Sequence, residues 1–166
     1  MIDRAGDVVR VQTFVRVPLR DAFDVFTLEI DRWWGHGPAY RVGGKHQGPL
    51  HLEPTLGGRV FQQYGKAGDA VHEIGTITTW DPPNAFAFTW RGINFKPSDS
   101  NTHVSVRFEP GTEGTRVFLE HRGWADIPAD APVRHGEPVD KFIATVGMWW
   151  GRLVSFMREY SEEKLP

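Results

Sequence analysis

Residues 138–165 read PVDKFIATVGMWWGRLVSFMREYSEEKL, and the spacing of their apolar members decides the fold. Val139, Phe142, Ile143, Val146, Trp149, Trp150, Leu153, Val154, Met157 and Tyr160 recur every three or four positions. That period draws one broad apolar stripe along a helix. The stretch from Leu50 to Arg122 is dominated by strand-like segments, and an amphipathic helix following an antiparallel sheet must bury its stripe on one sheet face. Gly147 and Gly151 stand one turn apart within the helix. Each costs roughly 1 kcal/mol relative to alanine in a helix interior. The expectation is a curved sheet gripping the helix, with a cavity where the two missing side chains would have been.

Composition bounds the function. The chain has 166 residues, 40% of them hydrophobic and 24% charged, with a formal net charge of -2. That length suits one well-buried core, and residues 1–166 are expected to form a single domain. Near-neutral charge gives no drive toward nucleic acid or an anionic membrane, and neither is expected as a partner. No cysteine is present, which excludes disulfides, thiolate catalysis and cysteine-ligated zinc. No apolar run approaches the roughly 20 residues of a membrane span. The stretch from Met1 to Asp7 lacks the apolar core of a secretion signal, so a cytoplasmic location is expected.

Turn chemistry divides the rest. Val9, Val11, Thr13, Val15 and Val17 alternate with Arg10, Gln12, Phe14 and Arg16, which marks a half-buried strand from Val8 to Val17. Pro18 ends it and suits a first helical turn. Ala22, Phe23, Phe26, Ile30 and Trp33 keep helical spacing as two short helices broken near Thr27 to Glu29. His36 to Gly48, rich in Gly and Pro, reads as a loop. Strands follow at Leu50–Glu53, Arg59–Tyr64, Val71–Trp80, Phe86–Arg91, Thr102–Glu109 and Thr115–Arg122, punctuated by turns such as Asp81-Pro82-Pro83-Asn84. Asp126 to Glu137 connects irregularly into the last helix.

No phosphate-binding loop, dinucleotide fingerprint, nucleophile elbow or zinc-protease motif occurs, and no cofactor is expected. His46 and His51 are the nearest histidine pair, at a spacing that fits no standard metal site, so no metal site is expected. Alternation puts His121 on the inward face with Val117 and Leu119. There it either anchors a ligand or serves as acid or base, or it is a core histidine satisfied by a backbone carbonyl or a tryptophan N–H. Glu73 is inward if its face is that of Gly75 and Ile77, and solvated if Ile74 and Trp80 set the phase. Inward, it is a second candidate acid or base with a raised pKa or a partner such as Arg91. Trp149 and Trp150 diverge by about 100° on the helix, so only one faces squarely inward. Trp33, Trp34, Trp90 and Trp124 fall at element ends, where a pocket mouth could form.

Several short pieces, in order, resemble one family. They are Pro18 with Asp21-Ala22-Phe23 and Phe26-Thr27, then Trp33-Trp34, then Leu56-Gly57-Gly58-Arg59-Val60. Gly75-Thr76-Ile77, Trp80-Asp81-Pro82-Pro83 and Phe88-Thr89-Trp90 follow. Gly114-Thr115-Arg116-Val117 with Leu119, His121 and Gly123-Trp124, and the terminal helix, complete the set. Together they resemble the START-like SRPBCC domains, in particular the activator-of-heat-shock-ATPase-like branch, over roughly Val8 to Tyr160. The resemblance implies an α+β helix-grip fold: seven antiparallel strands wrapped round the C-terminal helix, with two short helices after the first strand. It also implies a hydrophobic tunnel for apolar compounds. The co-chaperone that gives the branch its name carries an additional N-terminal domain, which Met1 to Val8 are not expected to supply.

Three functional classes follow. The leading expectation is binding of a small or medium apolar ligand between sheet and terminal helix. Its walls are drawn from Trp33, Phe88, Trp90, Val104, Val106, Val117, Leu119, Trp124 and Trp149, with His121 as polar anchor and Gly147 and Gly151 leaving room. On this reading Gly147→Leu would abolish binding. An enzyme of cyclase or aromatase type using His121 is the second class. The third is a protein-interaction module, either a co-chaperone-like partner of a heat-shock ATPase or a homodimer seeded by Phe14 and Phe118.

Overall fold

The computed structural model describes residues 7–163 and residue 165. Residues 1–6, read above as lacking a secretion signal, lie outside the described residues. The element order is β1 (Val8–Val15), α1 (Leu19–Thr27), α2 (Ile30–Trp33), β2 (Gln47–Leu52), β3 (Arg59–Tyr64), β4 (Ala70–Asp81), β5 (Ala85–Trp90), β6 (Thr102–Gly111), β7 (Gly114–Arg122) and α3 (Val139–Glu163). The strands form one seven-stranded antiparallel sheet in the order β1-β7-β6-β5-β4-β3-β2. This is the helix-grip architecture that the resemblance implies, with two short helices between the first two strands. Those two strands end up at opposite edges because α1 and α2 carry the chain across the open side of the curled sheet.

The local reasons are visible in the sequence. Pro18, extended at ψ 156°, stands immediately before α1; its missing N–H falls where a helix has no use for one. Ala22, Phe23 and Phe26 are buried on the inner side of α1. Strand β2 begins at Gln47, three residues before Leu50, through a register shift at Gly48 and Pro49. No described helix is long and apolar enough to cross a membrane.

Strand β4 departs from simple alternation, and this settles Glu73. Its register slips against β3 between Val60 and Phe61, and against β5 between Ile77 and Thr79. Each slip inserts one extra residue, so the large inward side chains fall three apart, at the buried Ile74 and Ile77, with Trp80 next, edge-on to Phe23. Both phases weighed in the sequence are therefore partly right. Glu73 is exposed, which removes it as a buried acid or base. Its neighbour His72 is half-buried instead. At Gly75 the backbone of β5 comes so close that a Cβ would overlap the Thr89 carbonyl, and only glycine fits there.

The core between sheet and helices is solid with rings. Phe23 meets Phe108 edge-on at 5.2 Å, and Phe86, Phe88 and Phe108 stack along the inner sheet face. From α3, Trp150, Leu153 and Met157 enter this core, each 0% exposed. The glycine pair does not lie over a void in it. A Cβ on Gly147 would stand 3.7 Å from Val9 of β1, an ordinary contact, and one on Gly151 would meet nothing within 4 Å. Gly147 thus lies against the edge strand and Gly151 faces open space, and neither lines the open cleft beside α3.

Candidate functional site

Beside the first half of α3 lies a partly open cleft of about 430 Å³. Its apolar walls include Trp34, Tyr40, Ile74, Trp90, Val146 and Trp149. Each is delivered by a specific local feature. Helix α2 stops at Trp33 and the backbone extends at Trp34 (ψ 136°), so the adjacent indoles, still 5.4 Å apart and tilted by 51°, reach different partners. The Trp33 N–H donates to the Val25 carbonyl inside the core at 3.0 Å, and that of Trp34 to the Tyr40 carbonyl at 3.0 Å. The Trp149 N–H donates to the Ala39 carbonyl at 2.6 Å, tying α3 to the segment after α2. Trp149 lies 5.8 Å from Trp34, 5.6 Å from Trp90 and 6.2 Å from Tyr40, ring centre to ring centre.

The wall after α2 has almost no secondary structure and is held by Arg41. All five of its N–H groups have acceptors. They are the Gly35 carbonyl, the Asp31 carboxylate (2.6 Å), and the carbonyls of Gly48, Asp31 and Trp34. Burial pushes the Asp31 carboxyl up, but the Arg41 hydrogen bond, the Leu50 N–H and the Arg41 charge outweigh it and hold the group below its ordinary range. A planar guanidinium meets this five-way demand; an ammonium has three donors.

His121 sits at the floor, 1% exposed. The Trp150 indole N–H donates to its Nδ1 at 3.0 Å. Nε2 therefore carries the proton and donates to Thr102 Oγ1 at 2.7 Å, and Thr102 donates onward to the Trp90 carbonyl at 3.0 Å. Both ring nitrogens are thus occupied. Burial, with a smaller contribution from the His103 charge, lowers its pKa to about 3. The imidazole is neutral and already paired, which corrects the expectation of a free anchor or acid-base group. It is a core histidine satisfied by a tryptophan N–H.

Of the residues expected to line a ligand site, Trp90, His121, Trp124 and Trp149 border the cleft. Trp33, Phe88, Val104, Val106, Val117 and Leu119 are buried in the filled core. Gly147 faces Val9 of β1 and Gly151 faces open space, and the helix presents Phe142, Val146 and Trp149 to the cleft instead. Sequence reasoning did not assign Tyr40, Gln62, His72, Ile74, Phe142 and Val146 to the site. The helical stripe contained Phe142 and Val146, but only the position of the segment after α2 shows which edge of it stays uncovered. Gly123, in the left-handed region at φ 98°, turns the chain out of β7 into a short 3-10 turn led by Trp124. The Trp124 ring packs 4.7 Å from His121 and 5.0 Å from Phe142. Among the described residues no group of three or more His, Asp or Glu side chains is placed to hold a metal ion.

Residues 16–152 match the family model described as Activator of Hsp90 ATPase homolog 1-like protein. Protein MLL2253 from Mesorhizobium loti superposes with a TM-score of 0.66 at 16% identity, covering 95% of this chain and 98% of that one. The Aha1 dimer from Colwellia psychrerythraea gives 0.64 at 12% identity, with 96% and 98% covered. An HSP90 activator from Plasmodium falciparum gives 0.60 at 18% identity, with 90% and 93% covered. At these identities the likeness carries the fold alone. No curated protein sequence matches the chain.

Proposed function

The chain belongs to the Activator of Hsp90 ATPase homolog 1-like family, and from that premise we propose that it binds a small or medium apolar ligand in the tryptophan-lined cleft beside α3. The observation that supports this reading is the company of four indoles, Trp34, Trp90, Trp124 and Trp149, around one opening of about 430 Å³. Binding pockets for small molecules run from roughly 300 to 1,000 Å³ and combine apolar walls with a few polar groups. Here the polar lining residues include Gln62, His72, Asn94, Thr145 and His135. Burial holds the His72 ring pKa below its ordinary value, which keeps that side of the cleft uncharged near neutral pH.

The test uses N-phenyl-1-naphthylamine, a neutral dye that brightens in apolar surroundings. The protein is expected to bind it, and Val146→Trp, which fills the cleft, to weaken binding at least tenfold. Gly151→Ala should leave it unchanged. Equal affinity of the Val146→Trp variant and the parent would remove the cleft from consideration.

A second reading, a co-chaperone-like action on an Hsp90-type ATPase, is favoured by the family description and by the Plasmodium relative's name. Adding the protein to an Hsp90 ATPase assay separates the two: a rise of twofold or more supports the second reading, and no change supports the first. The homodimer reading draws on the dimeric Colwellia relative. Its two seeds are weak, since Phe14 is only 38% exposed and Phe118 lies under the Arg107 guanidinium at 4.5 Å. Sedimentation at micromolar concentration decides it, with a monomer mass expected.

A further inference from the structure

Several polar groups that line the cleft are already committed within the protein. The Gln62 amide, 2% exposed, accepts the Val42 N–H at 2.9 Å and donates to the Val42 carbonyl at 3.0 Å. The Thr145 hydroxyl donates to the Lys141 carbonyl. Both nitrogens of His121 are taken, and the N–H groups of Trp34 and Trp149 have carbonyl acceptors. His72 differs. It lies on β4 opposite the buried Gln62 of β3, and directly opposed residues of an antiparallel pair share a sheet face, here the inner one. Its ring borders the cleft half-buried, and neither nitrogen has a hydrogen-bond partner among the described residues. Both nitrogens nevertheless keep some open surface, unlike the sealed N–H of Trp124.

Burial is the one cause of the lowered His72 pKa, the mark of a ring that has lost water and gained no partner. A neutral imidazole has one N–H and one bare nitrogen, and here no protein group fixes which is which. A hydroxyl answers either, since it donates and accepts, while an ether or ketone oxygen only accepts. The Trp90 N–H and the Tyr40 O–H, also on the lining, are likewise without partners among the described residues, and both can donate to an oxygen. No charge is called for, because Arg41 is paired with Asp31 at 2.6 Å.

We propose that the cleft takes a neutral aromatic alcohol, its flat body against Trp34, Trp90 and Trp149 and its hydroxyl hydrogen-bonded to the imidazole of His72. This rests on the cleft being a ligand site, and it names the ligand class and the anchoring residue. Ring-on-indole contact favours planar ligands. A hydroxyl that restores the hydrogen bond His72 lacks separates the alcohol from a hydrocarbon of the same shape.

The experiment compares 2-naphthol, 2-methoxynaphthalene and 2-methylnaphthalene at pH 7, with affinities from NMR titration of the indole N–H signals and with 15N-labelled histidine imidazoles as a second readout. Transfer from water alone ranks the methyl compound above the better hydrated alcohol, so a preference for the alcohol reports a bond made in the site. 2-Naphthol should bind at least threefold tighter than either of the others. It should shift the His72 imidazole signals and leave those of His121 in place. 2-Naphthoate, whose charge the lining does not answer, should bind more weakly than the alcohol. His72→Phe should erase the preference for the alcohol while 2-methylnaphthalene binds within twofold of its parent affinity. A methyl or methoxy compound as tight as the alcohol, a tighter 2-naphthoate, unmoved His72 signals at saturation, or a preference that survives His72→Phe overturns the proposal. The parent measurements stand even if the variant fails to fold. Equal affinity for the neutral probes, with N-phenyl-1-naphthylamine still bound, would leave the cleft standing and end only the alcohol assignment. Absence of binding by any of them ends both.

Discussion

A proton is what His121 cannot accept without cost, and the consequence is a pH dependence of stability. Above about pH 6.5 the ring is neutral in folded and unfolded chains alike, and its ionisation contributes nothing. Below that, the unfolded chain takes up a proton while the folded ring, with a pKa of about 3, does not. Stability therefore falls as pH drops from about 6.5 toward 3, by about 1.4 kcal/mol per pH unit at the steepest. Asp31, held below its ordinary value, adds a further loss in the acidic carboxylate range. Urea melts from pH 7.5 to 4.5 should show the decline. His121→Gln should be about 2 kcal/mol less stable at pH 7, because the Trp150 N–H loses its acceptor, yet have a flatter pH slope. An unchanged slope would mean that His121 is not the titrating group. Alternation placed His121 inward from sequence alone, but its partners could not be read, since Thr102 and Trp150 come from distant parts of the chain. Glu73 shows the opposite difficulty: its outward position depends on a bulge, and bulges carry no residue pattern of their own.

At the scale of elements, strands and helices were legible because each has its period and its punctuation. Arg59–Tyr64 and the α1–α2 break near Thr27 fell where the apolar spacing put them. The meaning of the helix glycines did not. A glycine pair signals missing volume, but which neighbour benefits depends on how α3 is rotated, and it is rotated so that Gly147 faces Val9. Gly151→Ala should raise stability by about 0.5–1 kcal/mol, visible as a higher melting temperature with unchanged dye binding. Gly147→Leu would press on β1 rather than fill a cavity. Gly75→Ala should be far worse, about 3 kcal/mol or more, since the new methyl displaces β5 from β4. A Gly75→Ala variant melting with the parent would contradict the bulge geometry.

For the whole molecule, the sequence pointed to a helix on a sheet with aromatic rings between them, and that is what the chain builds. It did not reveal that the interior is filled and that the free space lies to one side. That depends on residues 34–43, an irregular segment fixed by one arginine with five acceptors, and no local period announces such a wall. Replacing the arginine, as in Arg41→Lys, should loosen this segment, lower stability by about 2 kcal/mol and weaken dye binding together. If stability drops and binding does not, the segment is not a wall of the site.

The cleft itself can be tested most directly through the seven tryptophans. In an NMR titration of the indole N–H signals with N-phenyl-1-naphthylamine, those of Trp34, Trp90, Trp124 and Trp149 should shift, while those of Trp33 and Trp80 stay in place. Shifts confined to Trp33 and Trp80, or no shift in any of the seven at saturating dye, would contradict a ligand site beside α3.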